Sequence, residues 1–331
     1  MKTTSLVTGG AGFIGSHVVN HLIKLKHQVI VLDDLSGGFQ SNVNPKAIFI
    51  HGSITDSKLI DELFDKYSFT YVYHLAAYAA EGLSHFIRKF NYENNLIGSI
   101  NLVNASVNYD VKCFVFTSSI AVYGTNTLPM IETAIPQPED PYGIAKYSVE
   151  LDLLNAKKMF GLNSVIFRPH NVYGEYQNIG DKYRNVIGIF MNQILKGEAL
   201  SIFGDGSQSR AFTYIDDIAP YIAESVTNEK AQNETFNIGS DAVHTVKELA
   251  LKVSEAMGAK PSILTLEQRD EVVHAYADHS KFNSVFQPKK SIELVQGLKK
   301  MSDWVKAQGA RSSDIFNSIE IDKNLPPFWK E

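Results

Sequence analysis

Three features of this 331-residue sequence predict an α/β fold built on a doubly wound parallel sheet, followed by a smaller mixed α/β domain. First, an apolar run through Leu6 and Val7 breaks into Gly9, Gly10, Gly12 and Gly15, then resumes as Phe13, Ile14, Val18, Val19 and Leu22. Second, short runs that are apolar throughout alternate with amphipathic helical stretches, the text of a parallel sheet covered on both faces. Third, the second apolar run, Val29 to Leu32, ends in Asp33-Asp34, about 20 residues past the glycines.

The opening segment reads as strand, tight turn and helix. Gly9 permits the turn, Gly12 lets backbone approach a pyrophosphate, and Gly15 allows close helix–strand packing beneath a helix N-terminus that faces phosphate. This is the Rossmann fingerprint of a dinucleotide site. An acid at Asp33 or Asp34 holds an adenosine ribose by its hydroxyls and repels a 2′-phosphate, which favours NAD over NADP. Strands are expected at 4–8, 28–32, 47–50, 71–75, 112–117 and 163–168, with a helical pattern through Phe86, Ile87, Phe90, Ile97, Ile100 and Val103. After Pro169 the text turns rich in turn residues at 173–180 and 203–207. The expected division is a cofactor domain over 1–174, with a return segment near 212–235, and a substrate domain over 175–331.

Composition narrows the function. At 44% hydrophobic and 20% charged residues the chain has ample material for a large core. A net charge of −5 without a basic cluster argues against nucleic acid or an anionic membrane as partner. Cys113 is the single cysteine, in a strand-like run, so it reads as a buried thiol and no intramolecular disulfide forms. No apolar run reaches the ~18 residues of a membrane span, and the first strand leaves no room for a signal peptide, so a cytoplasmic location is expected. The ten histidines are scattered and no zinc motif occurs, so no metal is expected. His74, at a strand end, reads as a structural hydrogen-bonding group; His170 either lines the pocket or packs beside it. Glu81 either meets a substrate hydroxyl or faces water.

Tyr142 and Lys146 lie four apart, on one helix face, behind Pro141, which suits a helix start. A phenol near pKa 10 is a poor base, and a neighbouring ammonium favours its phenolate. The strand at 112–117 runs into Ser118 and Ser119, hydroxyls at the carboxyl end of a parallel sheet. Ser119 is placed to hydrogen-bond the oxygen whose proton Tyr142 removes.

With these residues the sequence resembles the extended short-chain dehydrogenase/reductases, and within them the nucleotide-sugar epimerases typified by UDP-glucose 4-epimerase. The resemblance rests on T-G-G-A-G-F-I-G-S-H at 8–17, D-D-L at 33–35, H-L-A-A at 74–77, S-S-I-A-V-Y-G at 118–124, Y-G-I-A-K at 142–146, R-P-H-N-V-Y-G at 168–174 and F-G-D-G-S-Q-S-R-A-F-T-Y-I-D-D at 203–217. It implies Tyr142 as base, Ser119 as its partner, and Lys146 bonding the nicotinamide ribose. It implies NAD held by Gly9, Gly12, Phe13, Ile14, Gly15, Asp33, Asp34, Ser53, Ile54, Leu75, Ala76, Ala77, Asn95, Thr117 and Pro169. Asn171, Asn185, Phe203, Arg210 and Arg269 would hold a nucleotide sugar, with Phe203 beside the base. Arg210 fits by chemistry as well, since a guanidinium recognises phosphate bidentately; the sequence places it in a Gly/Ser-rich loop. Two departures stand out: Gly52-Ser53-Ile54 lacks the family's common Asp near the adenine, and no lysine follows Ala77.

Position 121 separates reactions. Relatives that remove water or decarboxylate carry acids there, whereas this chain has Ile120 and Ala121. The resemblance then implies hydride chemistry alone: C4 of a UDP-hexose inverted through a transient 4-keto sugar. Alternatives are a nucleotide-sugar reductase or dehydratase-type enzyme, or a non-catalytic dinucleotide-binding protein. Ala275 falls where 4-epimerases gate N-acetyl groups, and its small size leaves room for them. Helical stretches near 86–107 and 143–160 resemble those that pair in family homodimers.

Overall fold

The computed structural model describes residues 3–268, 272–312, 316 and 319–330. In chain order the first part contains β1 (Thr4–Thr8), α1 (Phe13–Lys24), β2 (Gln28–Asp33), β3 (Ile48–His51), α2 (Ser57–Tyr67), β4 (Tyr71–His74), α3 (Glu81–Ser84), α4 (Arg88–Tyr92), α5 (Gly98–Asn108), β5 (Cys113–Thr117), α6 (Pro141–Phe160) and β6 (Ser164–Pro169). Then come β7 (Val172–Tyr173), α7 (Val186–Lys196), β8 (Leu200–Phe203), β9 (Ser209–Ala211), β10 (Thr213–Tyr214), α8 (Ala219–Glu224), β11 (Glu234–Ile238), β12 (Val243–Thr245) and α9 (Val246–Met257). The remainder holds β13 (Ile263–Leu266), β14 (His274–Ala275), α10 (Ser280–Phe286), α11 (Leu294–Gln308) and α12 (Pro327–Lys330).

Seven parallel strands form one sheet in the order β11-β6-β5-β4-β1-β2-β3. Alternating side chains bury both faces. Leu6, Ile30, Leu32, Val72, Phe114 and Phe116 pack against α2, α5 and α6 through Phe64, Leu102 and Val149. Val7, Val31, Tyr73, Val115 and Phe167 face the other way, onto Val18 and Leu22 of α1 and Ile222 of α8. Strand order reverses between β1 and β4, and such a switch point opens a crevice at the strands' carboxyl ends. The sheet's last strand comes from the later half of the chain and runs to Ile238, beyond the return segment expected to end near 235.

The helical pattern expected from Phe86 onward is interrupted. α3 ends at Ser84, α4 begins at Arg88, and residues 93–97 form a π turn before α5. Around the π turn, Asn94 Nδ2 donates to the Phe90 carbonyl at 2.9 Å, and Ser99 Oγ to the Asn95 carbonyl at 2.8 Å. Such single π turns gather at functional sites. The smaller domain carries short sheets, β12-β9-β14 and β13-β8, beside α7, α9 and α11. Among the described residues no helix is long and apolar enough to cross a membrane.

Candidate active site

A single cavity of about 560 Å³ runs from the β1–α1 turn across the ends of β4 and β5 to β8 and β9. At its first end, absent side chains shape the wall. Gly9 takes φ +72°, and a Cβ there would lie 2.7 Å from the Ala76 amide nitrogen. A Cβ on Gly15 would lie 2.0 Å from the Gly9 carbonyl oxygen. Phe13, Ile14, Leu75, Ala76 and Ala77 line the cavity beside these glycines. Asp33 closes β2 with its carboxylate turned back on the turn, Oδ2 accepting from Ala11 N at 2.9 Å and Oδ1 from Leu35 N at 2.8 Å. Burial raises its pKa and these bonds oppose that. Asp34 lines the same end and accepts from Ser36 N at 2.9 Å.

Two expected cofactor residues lie outside the lining. Ser53 Oγ closes its own turn, 2.9 Å from Thr55 Oγ1, and the neighbours Gly52 and Ile54 face the cavity instead. Asn95 is buried behind the wall, accepting from Tyr78 N at 2.8 Å and donating to Tyr78 O at 3.0 Å. It shapes the Tyr78 loop without touching the cavity, because the π turn rotates it inward.

The middle of the cavity holds Ser119, Tyr142 and Lys146. Asp140 caps α6 by accepting from Gly143 N at 2.9 Å, with Pro141 in the first turn, so Tyr142 starts the helix facing the end of β5. Lys146, one turn on, donates from Nζ to the Thr117 carbonyl at 2.8 Å and sits 5.8 Å from the Tyr142 ring centre. Burial drives its pKa down to about 7, against the pull of Glu150. Burial pushes the Tyr142 phenol up; the hydrogen bond with Ser119 lowers it, Glu81 and Asp140 raise it, and Arg184 lowers it. Thr117 Oγ1 is buried at this point with no hydrogen-bond partner.

Behind these residues lies a buried network that sequence reading missed. Arg168 donates from Nη2 to Glu150 Oε2 at 2.5 Å, from Nε to Glu150 Oε1 at 3.0 Å, and from Nη1 to Tyr123 Oη at 2.7 Å. Ser118 Oγ donates to Glu150 Oε1 at 2.5 Å. Glu150 follows Lys146 by four residues, as Lys146 follows Tyr142, so one helix face carries all three; that spacing was the available signal.

The far end belongs to the smaller domain. Asn171 and Asn185 adopt φ of +41° and +64°, and Leu35 and Tyr176 are likewise left-handed, strain of the kind that concentrates at functional sites. Asn171 donates to the Ala211 carbonyl at 3.2 Å, and Asn185 opens α7. Phe203 ends β8 on the cavity wall. Arg210 lies on strand β9 and not in a loop, since β12 and β14 pair on either side of it. Its guanidinium donates to the carbonyls of Val272 and Val273 at 2.5 and 2.8 Å while lining the cavity. Arg269 lies outside the described residues. Ala121, Pro169 and Ala275 line the cavity, as does Glu81 at the exposed start of α3.

His74 is fully buried between Thr8 Oγ1 and Ser99 Oγ, each at 2.8 Å. His170 reaches the lining, yet both its nitrogens are engaged, Nδ1 with the Ala211 carbonyl at 3.1 Å and Nε2 with His279 Nε2 at 2.9 Å. Among the described residues no group of three metal-ligating side chains forms.

Two further lining residues carried no motif. Gln177 is 1% exposed and neither of its amide atoms has a partner. Arg184 bonds Asp181 at 2.5 Å and stacks 4.8 Å from the Tyr78 ring centre. Its Nη2 lies 2.7 Å from where a Gly37 Cβ would stand, so it crosses from the smaller domain to the loop after β2. A buried polar group without a partner marks a place where a ligand or water completes the bonding.

A model of the NAD dependent epimerase/dehydratase family matches residues 5–239. A putative UDP-glucose 4-epimerase of Methanocaldococcus jannaschii is 36% identical over 304 residues, 91% of this chain and 98% of the relative. The crystal structure of a Thermotoga maritima UDP-glucose 4-epimerase with UDP-glucose superposes with a TM-score of 0.88 at 36% identity, covering 92% of this chain and 99% of that one. A UDP-N-acetylglucosamine 4-epimerase from Methanobrevibacter ruminantium, in complex with UDP-N-acetylmuramic acid, gives 0.86 at 32% identity, covering 93% and 100%. The glycine cradle, the acids ending β2 and the unpaired Thr117 hydroxyl beside Lys146 fit NAD, the cofactor on which this family depends. The chain belongs to the NAD-dependent epimerase/dehydratase family.

Proposed function

We propose that this protein inverts C4 of a UDP-hexose. The observation that carries the reading is the placement of Ser119, Tyr142 and Lys146 in the middle of one cavity, between its glycine-lined dinucleotide end and the end walled by the smaller domain, with Ala121 where a further proton-transfer group would stand. In this reading Tyr142 removes the proton of the C4 hydroxyl and Ser119 hydrogen-bonds the same oxygen. Lys146 favours the phenolate when it is protonated, and its contact with the Thr117 carbonyl fixes its position. NAD, when bound, supplies the hydride acceptor at C4 and a cationic ring that further favours the phenolate. Asn171, Asn185 and Arg210 hold the diphosphate, with Phe203 beside the base. The keto sugar then turns over within the cavity and is reduced on its other face.

Ala275, on the cavity wall, extends the substrate class to N-acetylhexosamines. A second copy of this chain is the proposed partner. Ile144, Leu151 and Leu154 form an exposed stripe at helical spacing on α6, with Ile97 exposed on the π turn. Sedimentation of the purified protein tests that dimer.

The function itself is tested by incubating the protein with UDP-glucose, UDP-galactose and their N-acetyl forms while following C4 inversion by proton NMR. Interconversion without net change in nicotinamide absorbance is expected. A stoichiometric change in nicotinamide absorbance, or loss of water from the sugar, would replace this reading with that of a reductase or dehydratase-type enzyme.

A further inference from the structure

Residues 319–330 lie beyond the span matched by the family model and carry none of the motifs, yet they reach the cleft. Glu320 ties this segment to the first domain. Its amide donates to the Phe86 carbonyl at 2.8 Å, and its carboxylate accepts from Lys89 N at 2.7 Å and Phe90 N at 2.8 Å, in the first turn of α4. Helix-start amides lack intrahelical partners, and a carboxylate there is favoured by charge as well. Trp329, 3% exposed, meets Phe86 edge-on at 6.1 Å and Tyr183 at 5.5 Å. It also lies over Gly82, where an added Cβ would come within 3.1 Å of the indole. Phe86 and Gly82 precede the sheet's fifth strand and Tyr183 belongs to the loop before α7, so one indole joins both sides of the cleft.

Phe328, the next residue back, lines the cavity and meets Phe203 edge-on, with ring centres 6.2 Å apart and planes at 85°. We propose that Phe328 is a substrate-binding residue that forms, with Phe203, an aromatic corner for the base of the nucleotide substrate. This rests on the nucleotide-sugar reading above. Two rings at right angles offer a base one face to stack on and one edge against its rim, an arrangement aromatic rings favour. Ile202, beside Phe203 on β8, adds apolar surface to a lining that also holds Ser201 and Gln208, a mixture that suits a flat base with a polar rim. Anchoring by Trp329 and Glu320 holds the Phe328 ring in place before the substrate arrives, and preorganisation of this kind lowers the cost of binding.

The test is calorimetric titration of UDP into NAD-loaded protein, comparing wild type with Phe328→Ala, Phe328→Leu and Phe328→Tyr. Alanine should weaken UDP about tenfold, the usual scale for one lost base stack, leucine should fall with alanine, and tyrosine should stay near wild type. The NAD content of all four, read by absorbance after denaturation, should be equal. Wild type that binds UDP together with an alanine variant of equal affinity overturns the assignment alone. Leucine matching wild type, or NAD lost alongside UDP, would show that the ring acts as bulk or clasp and also overturns it. Wild type that binds no UDP overturns the nucleotide-sugar reading and this assignment together.

Discussion

The cofactor end of the cleft is made of backbone, and the substrate end is made of side chains. At the first, Gly9, Gly15 and the Ala76-Ala77 pair meet so closely that a single Cβ would collide with a neighbouring main chain. The contacts there are amides and small residues supplied by three adjacent strands. At the second, Asn171, Phe203, Arg210, Ala275 and Phe328 come from five separate segments, and two of the supporting asparagines sit at positive φ. The first end therefore depends on local turn geometry and tolerates little substitution. The second depends on long-range packing, which permits one family to accept different sugars.

Tyr142 stands at the junction, and its removal is the largest effect expected. Tyr142→Phe should lower turnover by at least about a thousandfold, the upper range for a general base, while NAD remains bound. Substantial residual C4 inversion would move the proton-transfer role to another group, with Glu81, an acid on the cavity lining that acts on the Tyr142 phenol, as the first candidate.

Acid titration compares the two ends through buried His74 and buried His170. Burial holds His74 well below its usual pKa, and burial, with His279 adding, lowers His170 to about 3. The unfolded chain takes up protons below about 6.5 while the folded one does not until far lower pH. Stability is therefore lost as pH falls through that window, by about 2 kcal/mol per histidine between pH 7 and 5. Urea unfolding at the two pH values measures the loss. His74→Asn and His170→Asn should each shrink the difference by about 2 kcal/mol, whatever their cost at pH 7. An unchanged difference in either would show that the histidine is already charged in the fold.

The smallest effect probes whether the two ends are independent. Arg184, from the smaller domain, reaches Gly37 on the cofactor side and stacks on Tyr78, where no lysine follows Ala77. Arg184→Ala should speed NAD dissociation about tenfold, the scale of one lost bond to a charged group. Dissociation of NADH from protein loaded with the reduced cofactor, followed by its fluorescence, checks this, and an unchanged rate would leave the cofactor end self-sufficient.

Glycine spacing, the acids after β2 and the four-residue step from Tyr142 to Lys146 were legible because each depends on chain neighbours, through turn geometry or helical periodicity. The same periodicity would have exposed Glu150, whereas its partner Arg168 arrives on β6 and could not be paired with it in advance. Position in a motif puts Ser53 and Asn95 in the cofactor set, whereas their side-chain bonds to Thr55 and Tyr78 are visible only in the folded chain. Arg210 reads as loop because glycine and serine surround it, and it became strand through pairing with residues 243–245 and 274–275. Strand pairing at such separations leaves no periodic trace in the residues themselves. Sheet order, the crevice and the base-and-lysine helix thus follow from local preferences repeated along the chain. The far wall, the crossing of Arg184 and the return of Phe328 to the cavity follow only from tertiary contact, because the energy that places them comes from surfaces far apart in the chain.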